Sequence, residues 1–273
     1  MATRPRTSLS PARLRTPWAW AVAGALLGLG TTVVLQAPAR WLGSALEQLS
    51  AGQVVLAEAR GTVWTGSARL QFSGGAGSRD QSALPGRISW QLRPAGLGLD
   101  VQLDADCCTA QPLRLNLAPR WGGARLQLQD SPAPQQPSIW PAALLVGLGA
   151  PWNTMQVEGQ LSLSTHDLSV DWAQGRPSVT GSAELRAVGM SSRLSPLKPM
   201  GSYRIAVQGG STTTLDLSTL EGSLQLSGTG RWIGSRLHFE GEASAAPDRE
   251  AALSNLLNIL GRRKGARSII SVG

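Results

Sequence analysis

The side chains able to do chemistry are few, and their spacing gives them little to do together. Cys107 and Cys108 are the only cysteines, and His166 and His238 the only histidines. Asp104 and Asp106 stand beside the cysteines, and Glu240 and Glu242 follow His238. A metal centre needs ligands at defined spacings, and neither CxxC nor HExxH occurs. A nucleophile needs a base, and each histidine lies in a strand-like run with no second one nearby. GxSxG and GxxxxGK[ST] do not occur either. Gly74-Gly75-Ala76-Gly77 is glycine-rich, but no Lys-Ser/Thr and helix follow it, so it reads as a hairpin loop. The alternate acids read as a solvated strand face, with no partner to perturb their titration. Adjacent cysteines are poor disulfide partners, because the usual Cα separation exceeds that of trans neighbours. The chain is read as a non-enzyme, with no catalytic residue, no metal site and no cofactor.

Charge excludes a second class. The formal charge of +8 is concentrated at the two ends, in Arg4, Arg6, Arg13 and Arg15 and again in Arg262, Arg263, Lys264 and Arg267. Of 25 basic residues, the remaining 17 meet 17 acidic ones, so the body is neutral. Such a body lacks the phosphate-neutralising surface that drives nucleic-acid binding. Nucleic acid is not a partner.

The elements that must position these residues divide the chain in four. Residues 1–17 form a basic tail. Trp18 to Ala37 is a charge-free run of 20 residues, long enough to span the hydrocarbon core as a helix. Trp18 and Trp20 stand at its start, where indole rings favour the interface. Four arginines and no acid precede it, which predicts a cytoplasmic N-terminus and an exported body. Ala37-Pro38-Ala39 loosely resembles a cleavage site, but the apolar run is long for a signal peptide, so an uncleaved anchor is preferred. Residues 38–53 contain a juxtamembrane helix with Trp41, Leu42, Ala45, Leu46 and Leu49 on one face, packed on the domain or lying on the membrane surface.

Residues 54–273 change to a two-residue rhythm. Ile88, Trp90 and Leu92 alternate with polar neighbours, as do Leu97, Leu99, Val101 and Leu103, then Leu113, Leu115 and Leu117, then Leu126 and Leu128. Leu161 and Leu163, Val170 and Trp172, Leu224 and Leu226, and Leu237 and Phe239 repeat the pattern. Strict alternation places apolar side chains on one face of a pleated sheet. An all-β fold follows, an antiparallel meander forming a curved sheet or two packed sheets. The phrases TGSARL (65–70), EGQLSL (158–163), TGSAEL (180–185) and EGSLQL (221–226) read as strand openings within one extended sheet. The Pro-rich segment 130–138 divides the domain into two strand-rich halves. After it, 139–150 reads as a short helix capping one end of the sheet. Near the end, Pro247-Asp248 opens a helix with Asp248 as N-cap, and Leu253, Leu256, Leu257 and Leu260 share its apolar face. Gly261 is expected to stop it in the left-handed conformation, with Arg262, Arg263 and Lys264 on its negative end. Ser268 to Val272 is a final strand.

In order, GTVWTGSA (61–68), ISWQLRP (88–94), WPAALLVGLGAPWNT (140–154) and LLNILGRRKGARSIISVG (256–273) resemble protein N of the type II secretion system, GspN. The resemblance implies an accessory component of the inner membrane that faces the periplasm and helps export folded proteins across the outer membrane. Implied partners are the inner-membrane platform, the periplasmic connectors and the outer-membrane pore of the same apparatus. The positions that mark the family, and that are candidates for contact, are Gly61, Val63, Trp64, Gly66, Trp140, Pro141, Pro151, Trp152, Gly261, Gly265 and Gly273. An alternative comes from a different class: a long sheet with one apolar face also resembles the lipid-carrying grooves of AsmA-like and TamB-like periplasmic proteins. Its partner would be lipid.

Overall fold

The computed structural model describes residues 18–75, 77–130, 138–173, 176–234 and 236–273. The basic tail 1–17 and nearly all of the 130–138 linker lie outside the described residues. The chain divides into two compact units, 1–37 and 38–273. The first holds α1 (Trp18–Leu35), whose 18 residues include no charge and rise ~27 Å, close to the thickness of a bilayer core.

The second unit opens with α2 (Ala39–Leu49) and continues through β1 (Val54–Gly61), β2 (Thr65–Ser73), β3 (Gln81–Ala83), β4 (Ile88–Ala95), β5 (Gly98–Ala105), β6 (Leu113–Arg120) and β7 (Gly123–Leu128). Beyond the linker come β8 (Ser138–Pro141), a 3-10 helix (Ala142–Leu148), α3 (Trp152–Met155), β9 (Val157–Ala173), β10 (Arg176–Ser192), β11 (Gly201–Gln208) and β12 (Thr214–Gly222). The unit ends with β13 (Leu224–Ile233), β14 (Arg236–Ala245), α4 (Glu250–Leu260), β15 (Arg262–Lys264) and β16 (Arg267–Val272).

The described strands join one antiparallel sheet in the order β1-β2-β4-β5-β6-β7-β9-β10-β11-β12-β13-β14-β16-β15, with β3 on β2 and β8 on β9. The sheet is curved and unclosed. The expected all-β meander is therefore present as the curved sheet and not as two packed sheets. Direct pairing of β7 with β9, from Gly123↔Ala173 to Gln127↔Ser169, carries the sheet past the linker.

Alternating strand direction sorts the connections onto two rims. One, the hairpin rim, carries the turns β1–β2, β4–β5, β6–β7, β11–β12 and β13–β14 and the β9–β10 junction, where Ala173 pairs with Arg176. The opposite rim carries the cysteine turn, the 3-10 helix, α3, the 192–201 connection and α4.

Among the described residues, three buried clusters lie on the apolar face. Ala39 of α2, Ala68 and Trp90 form the first. Leu84, Ala105, Cys108 and Leu144 form the second. The largest joins Met155, Val157, Met190, Tyr203, Leu224 and Ala243 to Leu253, Leu256 and Leu257 of α4. Burial pushes the Tyr203 phenol up, and its hydroxyl donates to the Leu224 carbonyl at 3.2 Å. Of the two placements weighed for the juxtamembrane helix, α2 takes the one on the domain, with Ala39 and Gly43 buried and Trp41 and Leu49 exposed.

Several local expectations give way. Helix α4 starts at Glu250 with Arg249 as N-cap and no side-chain cap. Asp248 instead takes a left-handed φ of 64° in the turn that lays α4 back on the sheet, a role a short polar side chain tolerates. Gly261 is extended, φ −178°, because β15 starts at the next residue, and a Cβ there would stand 2.2 Å from the Ile269 carbonyl oxygen. Arg262, Arg263 and Lys264 pair with β16 as an edge strand, not as a cluster on the helix end. Segment 139–150 begins as β8 before it turns into the 3-10 helix. Leu97 sits in the β4–β5 turn, outside the stripe assigned to it. TGSAEL falls inside β10, where Gly181 takes part in a register shift. Cys107 and Cys108 are joined as a disulfide across a Cα separation of 3.7 Å. The bond links neighbours and so closes no loop worth constraining.

Candidate functional site

The polar face of the sheet holds titratable groups, and several pair with one another across or along strands. Arg125 on β7 donates twice to Asp171 on β9, at 2.6 and 2.8 Å. These hydrogen bonds hold the Asp171 carboxyl below the usual range and raise the guanidinium. Glu184 on β10 accepts from Arg204 at 2.7 Å and from Arg186 at 2.6 Å. The Arg204 bond, with Arg186 adding to it, lowers the Glu184 carboxyl against the opposing cost of burial. Such pairs are exposed strand-face ladders that fix register.

The residues first considered for chemistry meet the same fate. Asp104 accepts from the Thr109 hydroxyl at 2.7 Å, and Asp106 from the Arg87 amide at 3.3 Å. Glu242 pairs with Arg267 at 3.3 Å. His166 lies 3.3 Å from Asp130 and 3.6 Å from Asp167, well exposed. Among the described residues, no group of three or more His, Cys, Asp or Glu could hold a metal ion. A depression of about 490 Å³ on the polar face is lined by Gln91, Arg93, Asp100, Gln102, Arg114 and Asn116, among others.

The candidate contact positions fall into three places. Gly61, Val63, Trp64 and Gly66 build the β1–β2 turn. The Trp90 indole N–H donates to the Val63 carbonyl at 3.0 Å, and the Leu92 amide donates to the Trp64 carbonyl at 2.7 Å. A Cβ on Gly66 would stand 2.5 Å from the Trp90 ring and 2.7 Å from the Arg60 carbonyl oxygen, so the close approach needs glycine. Gly61 turns the chain at φ 87°. Trp140, Pro141, Pro151 and Trp152 flank the 3-10 helix: Trp140 packs on the second cluster and Trp152 on the largest. Gly261, Gly265 and Gly273 belong to the β15–β16 hairpin region, at the other end of the strand order from β1. The sheet brings the members of the first group together, whereas Gly265 and Gly273 stand at opposite ends of β16.

What the residue patterns did not single out is surface. Val101, Leu115, Leu117, Leu126 and Leu128 point to the apolar face of β5–β7 yet belong to none of the buried clusters. Among the described residues, helices pack chiefly on β1, β2, β3, β9 and β14–β16. On the hairpin rim, Leu97 is 94% exposed, Trp121 104% and Ile233 55%. The signal was available for Trp121: an indole directly before Gly122-Gly123, outside any alternating run.

Helix α1 fits a single-pass membrane protein by length and composition. No curated protein and no solved structure matches the chain. The family model of type II secretion system (T2SS), protein N, matches residues 52–270, taking in every strand of the sheet at least in part. A match of that extent assigns the chain to the protein N family of the type II secretion system.

Proposed function

We propose that the protein is an accessory subunit of the secretion apparatus that acts through protein–protein contacts, anchored by α1 in the inner membrane with its sheet in the periplasm. The family match over 52–270 carries this reading. The orientation rests on the four arginines before the anchor, which favour a cytoplasmic N-terminus. An unclosed sheet adds to the case, because its open face and edges offer area for partners. The eleven family-marking positions then serve mainly to hold the turns that present this surface, as the Trp90–Val63 bond does at the first of them. Their functional share is contact with the platform, the connectors or the pore.

The test is recovery of neighbours. Crosslinking in intact cells is expected to join the body to inner-membrane or pore subunits, and deletion to lower secretion under inducing conditions. Unchanged secretion and no crosslinked subunit would sink the reading. A reporter fused after Gly273 is expected to be active only in the periplasm.

A second reading, a lipid-carrying groove, is favoured by one observation: the apolar stripe of Val101, Leu115, Leu126 and Leu128 lies outside the buried clusters. Leu224 belongs to the core, 2% exposed, so Leu115→Glu and Leu126→Glu are the informative changes. Phospholipid that copurifies with the wild type and is lost from both variants, with the fold intact, would favour the groove over protein contacts.

A further inference from the structure

The hairpin rim combines three features that the secretion role does not use. Three of its tips carry an apolar residue: Leu97 in β4–β5, Trp121 in β6–β7 and Ile233 in β13–β14 are all exposed. Trp172, also exposed, stands at the level of the Trp121 turn, since Ala124 pairs with it across β7–β9. Folding gains nothing by turning a tryptophan and a leucine fully into water, and indole rings favour a lipid–water interface.

Second, the tips are flanked by cations. Arg120 precedes Trp121, and Arg231 and Arg236 bracket Ile233, all three exposed. The acids near this rim are Asp100, bonded to Asn116 at 2.6 Å, Asp171, neutralised by Arg125, and Asp216 and Glu240, level with each other across Thr229. Third, the domain's first residue is on this rim. Pro38 forms an isolated bridge with Thr62 in the β1–β2 turn, so the chain enters the body here, two residues after the apolar helix and its capping turn end at Gln36.

We infer that the hairpin rim rests on an anionic lipid surface, with Leu97, Trp121 and Ile233 in the headgroup layer and Arg120, Arg231 and Arg236 against its phosphates. The occupant is lipid and not protein because apolar tips flanked by arginines at the entry point of a membrane-tethered domain match the chemistry of that interface. The inference depends on the tether and not on the secretion role.

The test uses the full chain carrying photoreactive benzoylphenylalanine at 97, 121 or 233, with a control at 110 on the opposite rim. It is reconstituted in vesicles of phosphatidylethanolamine and phosphatidylglycerol. Lipid adducts are expected at the three rim positions and far fewer at 110. In the doubly substituted Arg120→Gln, Arg236→Gln chain, the adduct yield at 121 is expected to fall about fivefold per charge removed. Melting curves of each variant verify folding. Equal lipid labelling at 110 and 121 overturns the proposal, as does labelling at 121 that goes only to proteins in native membranes. An adduct yield unaffected by the two glutamines overturns the charged part of the contact. Unchanged secretion on deletion, with rim labelling intact, would fault the apparatus reading alone.

Discussion

Strands β6–β7 and strands β13–β16 are written in the same two-residue rhythm, yet they end up in different environments. Leu224 and Ala243 are buried beneath Leu253, Leu256 and Leu257 of α4, and the Ser268 hydroxyl ties β16 to that helix through the Leu257 carbonyl at 2.7 Å. Leu115, Leu126 and Leu128 alternate just as regularly and join no buried cluster. Alternation thus decides which face is apolar, and a separate element decides whether that face becomes core or stays available. The covered flank supplies the stability, and the uncovered span supplies the surface.

Substitutions that separate the two regions test this division. Leu257→Ala, at a fully buried site, is expected to destabilise by about 3 kcal/mol and Leu126→Ala by less than about 1 kcal/mol, read from urea midpoints. Equal losses would mean that the uncovered span is as tightly packed as the α4 flank. The first turn is the next largest effect. Gly66→Val presses a side chain into the Trp90 ring and is expected to cost about 2 kcal/mol, as overpacking does. Thermal melts that match the wild type would remove the close approach from the account. Trp90→Phe, which leaves the Val63 carbonyl without its indole donor, is expected to cost about 1 kcal/mol; double-mutant analysis with Gly66→Ala should show coupling, because the two sites touch.

The smallest effect is titratable. The folded Glu184 carboxyl titrates below its ordinary value because Arg204 and Arg186 favour the anion. A depressed folded value contributes stability that is present above the unfolded value, about 4.3, and is lost as pH falls through the folded one. Glu184→Gln is therefore expected to lose less stability than the wild type between about pH 4.3 and lower pH, in parallel denaturant series. Identical acid limbs would show the pair to be solvated in solution.

Much of this architecture was legible in the residues. The Leu rhythm announced the meander, and the spacing of Leu253, Leu256, Leu257 and Leu260 announced α4 and the face it buries. Boundaries were less legible, because a neighbouring element claimed the same residue. Asp248 reads as an N-cap until the turn after β14 takes it, and Gly261 reads as a helix stop until β15 begins beside it. Leu97 fits the stripe by parity, but the Gly96 turn removes it from the strand. The candidate contact positions were legible as turns and packing points and not as one surface, since Gly61 and Gly265 belong to strands at opposite ends of the order. What covers an apolar face depends on how distant segments dock, and periodicity within one strand has no bearing on that.

The order of the strands has a further consequence. Apart from the short detours at β3, β8 and β15, each strand lies next to the one made just before it. Closing a short loop costs little conformational entropy, and neighbours in sequence meet sooner than distant ones. A polypeptide that reaches its compartment one end first could thus assemble hairpin by hairpin, each new strand docking on a template already in place. Only the last helix, arriving with β15 and β16 at the finish, completes the largest buried cluster.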